Sequence, residues 1–266
     1  MIFTQNSLVI GLMLVAIFLS LAIAERVWAK RILTQNRWVR WRTHAGFAAV
    51  NMPLEKLVQF VVLGGLYALV SGHADGRFGL LQWTDWPVWL EWTIAIFALD
   101  FAVWIQHVAT HKIPLLWRLH RVHHADRDFD ITTALRFHPL EIALSMVYKM
   151  VVAVLLGVPL GALILFELLL SLFPLFNHAN LALPGWLDRT LRWIVVTPDM
   201  HRVHHSTVPH ETNSNYGFYF SFWDRIFGVY RAEPEAGQQG MTVGLSEYQT
   251  GEPTGFTWSM LLPFRR

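Results

Sequence analysis

Long apolar runs alternate with polar, histidine-rich segments along this chain, and the runs have lengths that favour helices. Five of them stand out, at about residues 8–24, 57–70, 86–106, 142–158 and 160–176. A helix needs roughly 17 to 25 apolar residues to cross a bilayer, so run 57–70 is short unless residues 47–53 extend it. Gly157, Pro159 and Gly161 separate the last two runs and predict a hairpin turn. The pattern predicts an all-α integral membrane bundle with about four spans, one hairpin and a histidine-rich helical cap.

The composition agrees with a membrane protein and limits the available chemistry. Hydrophobic residues make up 54% of the 266 residues and charged residues only 15%, against about 25% in a typical soluble domain. Cysteine is absent, which excludes a disulfide framework and any thiolate metal site. A bound metal would therefore need histidine, carboxylate or backbone ligands. The net charge of +2 is small, so the basic residues matter by their position.

The first apolar run is interpreted as a retained span rather than a cleaved signal peptide. A signal peptide carries positive charge before its apolar run, and residues 1–7 contain neither lysine nor arginine. The segment after the run is rich in basic side chains, with Glu25 as the acid beside them, so the positive-inside rule places it in the cytoplasm. The basic residues are Arg26, Lys30, Arg31, Arg37, Arg40 and Arg42.

Counting membrane crossings from that basic segment places residues 107–138 and 177–266 in the cytoplasm as well. The count requires that run 57–70 crosses the membrane. If it does not cross, the count places the middle of the chain on the opposite side. We therefore expect an integral membrane protein whose histidine-rich cap and active site lie on the cytoplasmic side.

Eight histidines form three tight sequence clusters that core packing does not require. The pentapeptide HRVHH occurs twice, about eighty residues apart, and an HxxxH pair precedes the first copy. In a helix, residues at i, i+3 and i+4 share one side, so each pentapeptide presents three imidazoles together. Imidazole is the commonest protein metal ligand, and this number exceeds what one ion can bind. The clusters predict a two-metal catalytic site with the ligands His107, His111, His120, His123, His124, His201, His204 and His205.

Two further histidines are candidate ligands. His178 lies at the exit of the hairpin, on the same side as the clusters by the crossing count. His138 precedes the hairpin and fits three roles: a metal ligand, a hydrogen-bond partner of a ligand, or an interface residue. The remaining histidines lack clustered partners and are left out of the site; they are His44, His73 and His210.

The nearby carboxylates are Asp100, Glu141 and Asp199, and none forms the Glu-x-x-His arrangement of soluble di-iron bundles. They are better suited to orienting imidazoles through hydrogen bonds, with Asp199 foremost. The all-imidazole ligand set disfavours calcium and magnesium. A zinc site needs only about three or four ligands, so two redox irons fit the ligand number best, although the affinity order leaves zinc and copper open.

The three histidine motifs, set around a membrane hairpin, resemble the sterol desaturase and fatty acid hydroxylase superfamily over roughly residues 99–230. The stretches NHANL, LPGWLDR, TPDMHRVHHS, NYGF and FWDRIFG are similar to its bacterial members. The resemblance implies a membrane-bound non-haem di-iron oxygenase that uses O2 and external electrons to hydroxylate or desaturate a sterol-like or acyl lipid. Its implied iron ligands are the eight motif histidines and His178, with His138 as a further candidate.

The chain departs from this pattern after the hairpin. Family members that hydroxylate fatty acyl chains carry a further HxxxH there, whereas here Pro174 and Ala182 lie four residues to either side of His178. The departure favours the sterol-type branch. The expected organisation is N-terminal membrane helices at 1–94, a fatty acid hydroxylase-type di-iron domain at 95–231 and a C-terminal tail at 232–266. No fused haem motif is visible, so we expect electrons from a separate reductase.

The expected partners are a membrane lipid as substrate, O2 as co-substrate, two iron ions and an electron-donor protein, with no nucleic acid. The alternative is a metal-binding membrane protein, for transport or structure, without oxygenase activity. Transport favours ionisable ligands within the spans, whereas these histidines lie at span ends. The residues leave open the lipid, the choice between hydroxylation and desaturation, and the oligomeric state.

Overall fold

The computed structural model describes residues 2–71, 79–83, 85–250 and 255–265, with side chains at 9–61, 79–83, 85–250 and 255–265. In this part of the chain helices dominate, and extended segments pair only as isolated bridges, which confirms the all-α prediction. The longer helices are α1 (Ile2–Val27), α2 (Arg37–Ser71), α3 (Val88–Lys112), α4 (Pro114–His124), α5 (Pro139–Leu156) and α6 (Leu160–Asn177). The shorter ones are α7 (Gly185–Leu191), α8 (Pro198–His204), α9 (Pro209–Thr212), α10 (Phe222–Ile226), α11 (Gly237–Gly240) and α12 (Phe256–Leu261).

Four of the described helices are long and apolar enough to cross a membrane, which confirms the predicted number of spans. They are Val9–Val27, Val88–Lys112, Pro139–Leu156 and Leu160–Asn177. Large apolar side chains such as Leu19, Leu144 and Ile164 point outward from these helices and are more than half exposed. Exposed apolar side chains on helices of this length are the kind that lipid tails cover.

The predicted run 57–70 is the second half of one continuous helix, α2, which begins at Arg37 and has 35 residues. At 1.5 Å per residue such a helix is about 52 Å long, which is enough to cross a bilayer. Its first half carries Arg37, Arg40, Glu55 and Lys56, and so lacks the apolar character of the four candidate spans. Most side chains of run 57–70 lie outside the described residues, and a crossing by α2 stays a prediction.

The hairpin between α5 and α6 forms where the sequence predicts it. Gly157 ends α5 in the left-handed conformation (φ 68°, ψ 39°), and its N–H donates to the carbonyl of Val154 at 2.9 Å. Gly161 lies in the first turn of α6, where a Cβ atom would come within 2.5 Å of the Trp92 ring. A left-handed turn and this close approach both require glycine.

By its contacts the chain divides into two compact units, each described by itself. Unit 1 comprises Met1–Arg37, Asp126–Ala134 and Ser171–Gly251. In it, the segment after α1 pairs with the segment after α6: Lys30 N donates to Asn180 O at 3.0 Å, and Ala182 N donates to Trp28 O at 2.8 Å. The C-terminal ends of α1 and α6 therefore lie side by side. A small apolar core of Phe129, Met241 and Val243 lies in the same unit.

Unit 2 comprises Trp38–Ala125, Leu135–Leu170 and Glu252–Arg266. Helices α3, α4 and α5 pack against one another in it, and α4 also packs on the C-terminal turn at Leu262–Phe264. The buried Arg136 side chain ties these parts together, because it donates to Val122 O at 2.7 Å and to Ser259 Oγ at 2.9 Å. Helix α5 therefore begins close to the histidine-bearing end of α4.

Candidate metal centre

A sharp turn between α3 and α4 builds the histidine cluster of unit 2. The HxxxH pair occupies the last turns of α3, and Ile113 then adopts an extended conformation (φ −95°, ψ 115°). Pro114 opens α4, which suits a first helical position because no backbone N–H is needed there. The reversal brings the first pentapeptide, on α4, back against the end of α3. The HxxxH pair and this pentapeptide therefore lie next to each other.

Four imidazoles converge in this cluster. One ring nitrogen from each of His107, His111, His120 and His124 lies within 4.8 Å of the others. His120 Nε2 is 3.2 Å from His107 Nε2 and 3.2 Å from His124 Nε2. All four rings are buried except that of His111, which is partly exposed. His123, also predicted as a ligand, is buried in the same unit, and its ring stacks on Phe137 with centroids 4.2 Å apart.

A carboxylate orients the central imidazole of this cluster. Glu141, in the first turn of α5, lies with its Oε1 2.5 Å from His120 Nδ1. In a neutral imidazole the nitrogen facing a carboxylate carries the proton, so the Nε2 lone pair of His120 is directed at the other histidines. The sequence singled out Glu141 together with Asp100 and Asp199 and placed Asp199 foremost. In the structure Asp199 instead pairs with Arg202 (2.6 Å) and Lys30 (2.5 Å).

The second pentapeptide lies on α8 of unit 1, a short helix fixed at its start by Thr197 and Pro198. The Thr197 side chain accepts a hydrogen bond from Met200 N at 3.4 Å, the usual capping arrangement. His178 follows α6 and lies beside this helix, with its Nε2 3.1 Å from His201 Nε2. One ring nitrogen from each of His178, His201 and His205 lies within 4.8 Å of the others, and all three rings are buried.

Backbone carbonyls set the tautomers of two histidines in this unit. His178 Nδ1 lies 2.8 Å from Pro174 O, and His204 Nδ1 lies 2.7 Å from Ser214 O. Each Nδ1 is therefore the protonated nitrogen, and each Nε2 keeps its lone pair. The neighbouring Asn215 adopts a left-handed conformation (φ 52°), and its Nδ2 donates to Met200 O at 2.9 Å. This contact holds the loop with the Ser214 carbonyl against α8.

His138 takes a different position from the clustered histidines. It is the N-cap of α5: its Nδ1 accepts a hydrogen bond from Leu140 N at 3.2 Å, and its Nε2 lies 3.2 Å from Met260 O. Burial lowers the pKa of this imidazole, which favours the neutral form. Both ring nitrogens thus face main-chain groups, although ligation by His138 stays a prediction.

Of the histidines left out of the site, His44 and His210 also fall outside both clusters. His44 is fully buried, and His73 lies outside the described residues. His210 is half-exposed and lies 2.8 Å from Glu235 Oε1. It forms a third, mostly exposed group with Glu235 and Glu211, whose carboxylate accepts a hydrogen bond from Glu235 N. Such exposed acidic groups commonly occur without an ion.

Sequence reasoning missed one buried carboxylate near the unit 1 cluster, that of Glu25. Its Oε2 accepts hydrogen bonds from Ile131 N and Asn180 N, each at 3.0 Å. Asn180 follows His178 by two residues, and Phe129, two residues before Ile131, stacks on the His178 ring at 5.4 Å. Glu25 thus holds both segments that flank this histidine. In the sequence, Glu25 is an acidic residue among basic ones, and this pattern does not predict its hydrogen bonds to Ile131 and Asn180.

The donor set fits a metal ion of intermediate hardness. Two nitrogens bound at about 2.1 Å to one ion lie about 3.0 Å apart in octahedral and about 3.4 Å apart in tetrahedral geometry. The facing Nε2 atoms, at 3.1 to 3.2 Å, fall within this interval. Buried imidazoles with set tautomers suit iron, zinc, copper or nickel, whereas calcium and magnesium require oxygen ligands.

A helical membrane protein with metal-binding histidine clusters is the class that this fold and these side chains define. The model of the fatty acid hydroxylase family matches residues 92–229, just over half of the chain. The chain therefore belongs to the fatty acid hydroxylase family, within the sterol desaturase superfamily, which confirms the resemblance seen in the sequence motifs.

Over the aligned regions, about three residues in ten are identical between this chain and its curated relatives. The alkylglycerol monooxygenase of Xenopus tropicalis is 29% identical over 171 residues, 62% of this chain and 36% of that protein. The ornithine lipid hydroxylase OlsE of Rhizobium tropici is 28% identical over 187 residues, 69% of this chain and 54% of that protein. A cholesterol 25-hydroxylase-like protein of Danio rerio is 29% identical over 147 residues, 53% of this chain and 57% of that protein.

The matches span between about a third and just over half of these relatives' own lengths. No solved structure matches the chain at a significant level.

Proposed function

We propose that this protein is a membrane-bound non-haem di-iron oxygenase that inserts oxygen into a C–H bond of a membrane lipid. The observation that carries the proposal is the pair of buried, all-imidazole clusters, one in each unit, whose facing nitrogens have the spacing of ligands on one ion. A structural zinc site would need only about four ligands in all. The two clusters lie in the first and second halves of the region that matches the family, residues 92–229. This arrangement supports one iron in each cluster.

The reaction balances as R–H, O2, two electrons and two protons giving R–OH and water. One oxygen atom enters the C–H bond and the other leaves as water, so a separate protein must donate two electrons per turnover. Two iron ions would supply the redox chemistry that activates O2. The relatives named above are a monooxygenase and hydroxylases, which supports hydroxylation over desaturation.

The chain's own residues would hold the irons and exclude water. Glu141 and the carbonyls of Pro174 and Ser214 contact the Nδ1 atoms of His120, His178 and His204, so the Nε2 atom of each ring would be the metal ligand. Phe137 covers His123, and Phe129 covers His178 and His205. A dry, aromatic surround limits the loss of reactive intermediates to water.

The substrate is proposed to be a lipid that approaches from the bilayer, because the HxxxH pair occupies the last turns of a candidate span, Val88–Lys112. We further propose that the clusters lie on the cytoplasmic side of a bacterial inner membrane, where a reductase can reach them. The basic segment after α1 supports this orientation.

Metal analysis and lipid mass spectrometry test the proposal. We expect the purified full-length protein to hold about two irons per chain, and cells that express it to contain a lipid one oxygen heavier than in control cells. His201→Ala should remove about one iron and the new lipid, whereas His210→Ala, at a half-exposed position outside the clusters, should change neither.

Three other results would contradict the proposed reaction, the oxygenase activity or the ligand set. A lipid two hydrogens lighter would show desaturation instead of hydroxylation. Stable zinc occupancy with no change in any lipid would favour the alternative, a metal-binding membrane protein without oxygenase activity. Full iron content and turnover in His201→Ala would show that α8 does not supply ligands.

A further inference from the structure

A cavity of about 310 Å³ in unit 1 is not used by the proposed metal chemistry. One wall is apolar and consists of Phe129, Met241 and Val243. The rest of the lining is mostly polar and includes Arg31 and Arg127. This volume is at the lower end of the range for ligand pockets, so it suits a small polar group rather than a whole lipid.

The polar side of the cavity has more hydrogen-bond donors than acceptors. Arg31 donates to Gln238 O and to Met241 O, and Arg127 donates to Gln249 O (2.5 Å) and Gln35 Oε1 (2.6 Å). A guanidinium carries five N–H groups, so these bonds engage fewer than half of the donors of either side chain. Among the described residues, Arg127 Nε is buried without an acceptor. A group with several acceptor oxygens would complete this arrangement.

The charge of the lining also favours an anion. Asp128 is the acid of the lining, and it already accepts hydrogen bonds from the main-chain nitrogens of Thr34 (3.0 Å) and Gln35 (2.6 Å). Arg202 Cζ lies 5.2 Å from the centre of the Phe129 ring, and the ion pair with Asp199 balances its charge, so the excess positive charge of the lining comes from Arg31 and Arg127. Burial and the neighbouring Arg202 lower the pKa of Arg31, so an added negative charge would stabilise its protonated form.

The position of the cavity indicates which anion it meets. Arg31 follows the end of the candidate span Val9–Val27 by four residues, and Thr34 and Gln35 follow shortly after. The head-group layer is about 5 to 8 Å thick on each side of the hydrocarbon core, so a segment that starts four residues after a span lies within reach of lipid head groups. On the other side, Phe129 is shared with the metal cluster, because its ring packs on His178 and His205.

We propose that this cavity binds the anionic head group, a phosphate or carboxylate, of a membrane lipid. The bound head group would leave the lipid tails outside the cavity, next to the apolar face of α1. The further step, that this lipid is the substrate, rests on the proposed oxygenase function. Arg127 then selects anionic lipids over neutral ones, and Arg31 binds the same anionic head group.

Binding measurements on the full-length protein in detergent test this assignment without any turnover. The probes are dihexanoyl phosphatidic acid, neutral dihexanoylglycerol and inorganic phosphate, and their affinities are compared by titration calorimetry. We expect phosphatidic acid to bind, with affinity about tenfold lower in Arg127→Gln, because a pair of charge-assisted hydrogen bonds is lost. Arg127→Lys keeps the charge and should fall between the two.

The matched control is Arg189→Gln, which removes an exposed arginine from α7 of the same unit and should leave binding unchanged. Circular dichroism melting of each variant shows whether it folds, and Arg127→Lys keeps the test valid if Arg127→Gln does not. Equal binding of dihexanoylglycerol, or equal affinity in wild type and both Arg127 variants, overturns the proposal. Inorganic phosphate binding as tightly as phosphatidic acid overturns the lipid assignment and leaves a small-anion site. Because binding needs neither iron nor O2, its failure is distinct from failure of the proposed function.

Discussion

Three of the candidate ligands are oriented by one hydrogen bond each. His120 meets a carboxylate, Glu141, whereas His178 and His204 meet main-chain carbonyls. The contact with Glu141 fixes the orientation of the His120 ring, so that its Nε2 faces His107 and His124. We predict that Glu141, which lies outside the histidine motifs, tunes the metal affinity of the unit 2 cluster through this contact.

Glu141→Gln tests this prediction. Glutamine has the shape of glutamate but no charge, and its amide nitrogen can face His120 Nδ1 instead of an oxygen. We expect iron affinity to fall by about 10- to 100-fold, as is usual when such a partner is lost. The measurement is a competition titration of iron between the purified chain and a chelator of known affinity. The control is Glu247→Gln, at an exposed position of unit 1; a loss of affinity in both variants would contradict a specific role for Glu141.

His138→Gln decides whether the tenth histidine is a ligand. To bind a metal, His138 would have to give up a hydrogen bond to Leu140 N or Met260 O. We therefore expect the variant to keep its iron, with at most a modest loss of stability from the altered cap of α5. His178→Gln is the matched comparison, because it replaces a clustered imidazole and should lower the iron content. Iron loss in His138→Gln equal to that in His178→Gln would restore the ligand interpretation.

The sequence predicts the histidines better than it predicts the residues around them. Residue type and spacing within a helical turn are enough to group His120, His123 and His124, because such contacts are local. Glu141 and Glu25 reach their partners only through the fold, across 21 and more than 100 residues. Asp199 is close to His201 in sequence, yet it pairs with Arg202 and Lys30. Proximity along the chain is therefore a poor guide to which carboxylate orients an imidazole.

Among the helices, the boundaries that depend on proline and glycine are the predictable ones. Pro114 separates α3 from α4, and Gly157 ends α5, because each residue has few conformational alternatives. The start of α2 could not be inferred from hydropathy, since its first half mixes charged and apolar residues and forms no continuous apolar run. The short helices after α6 depend on caps and tertiary contacts, which no periodic pattern in the sequence predicts.

An ion pair joins the two helices of the hairpin. Lys149 on α5 and Glu167 on α6 lie with Nζ and Oε2 2.8 Å apart, and both belong to candidate membrane spans. A single charge in a span is costly, whereas a hydrogen-bonded pair is tolerated. We expect Lys149→Met to destabilise the protein by about 2 to 3 kcal/mol, because it leaves the Glu167 carboxylate without its cation. The measurement is the thermal denaturation midpoint in detergent.

The double variant Lys149→Met/Glu167→Leu is the control for this pair. Two apolar side chains suit the hydrocarbon environment, so most of the lost stability should return. A double variant as unstable as Lys149→Met alone would show that the lysine acts through packing or through another partner.

On the scale of the whole molecule, the open question is which compartment receives the histidine clusters. In unit 1 the segments after α1 and after α6 pair through main-chain hydrogen bonds, so both emerge on one side of the membrane. The segment after α1 is the basic one, which the positive-inside rule assigns to the cytoplasm. The pairing thus links the charge bias near the N-terminus to the segment that carries His178.

The absence of cysteine makes the orientation directly measurable. We predict that a cysteine at Ala236, an exposed position of unit 1, is protected in intact cells from a membrane-impermeant maleimide. A cysteine at Asp85, exposed ahead of α3, should react, because three predicted crossings (α3, α5 and α6) separate the two positions. Lysed cells provide the control, in which both cysteines should react equally. Reaction at Ala236 and protection at Asp85 would reverse the orientation and place the clusters outside the reach of a cytoplasmic reductase. Equal behaviour in intact cells would mean that one of the three helices does not cross, which would contradict the crossing count on which the orientation rests.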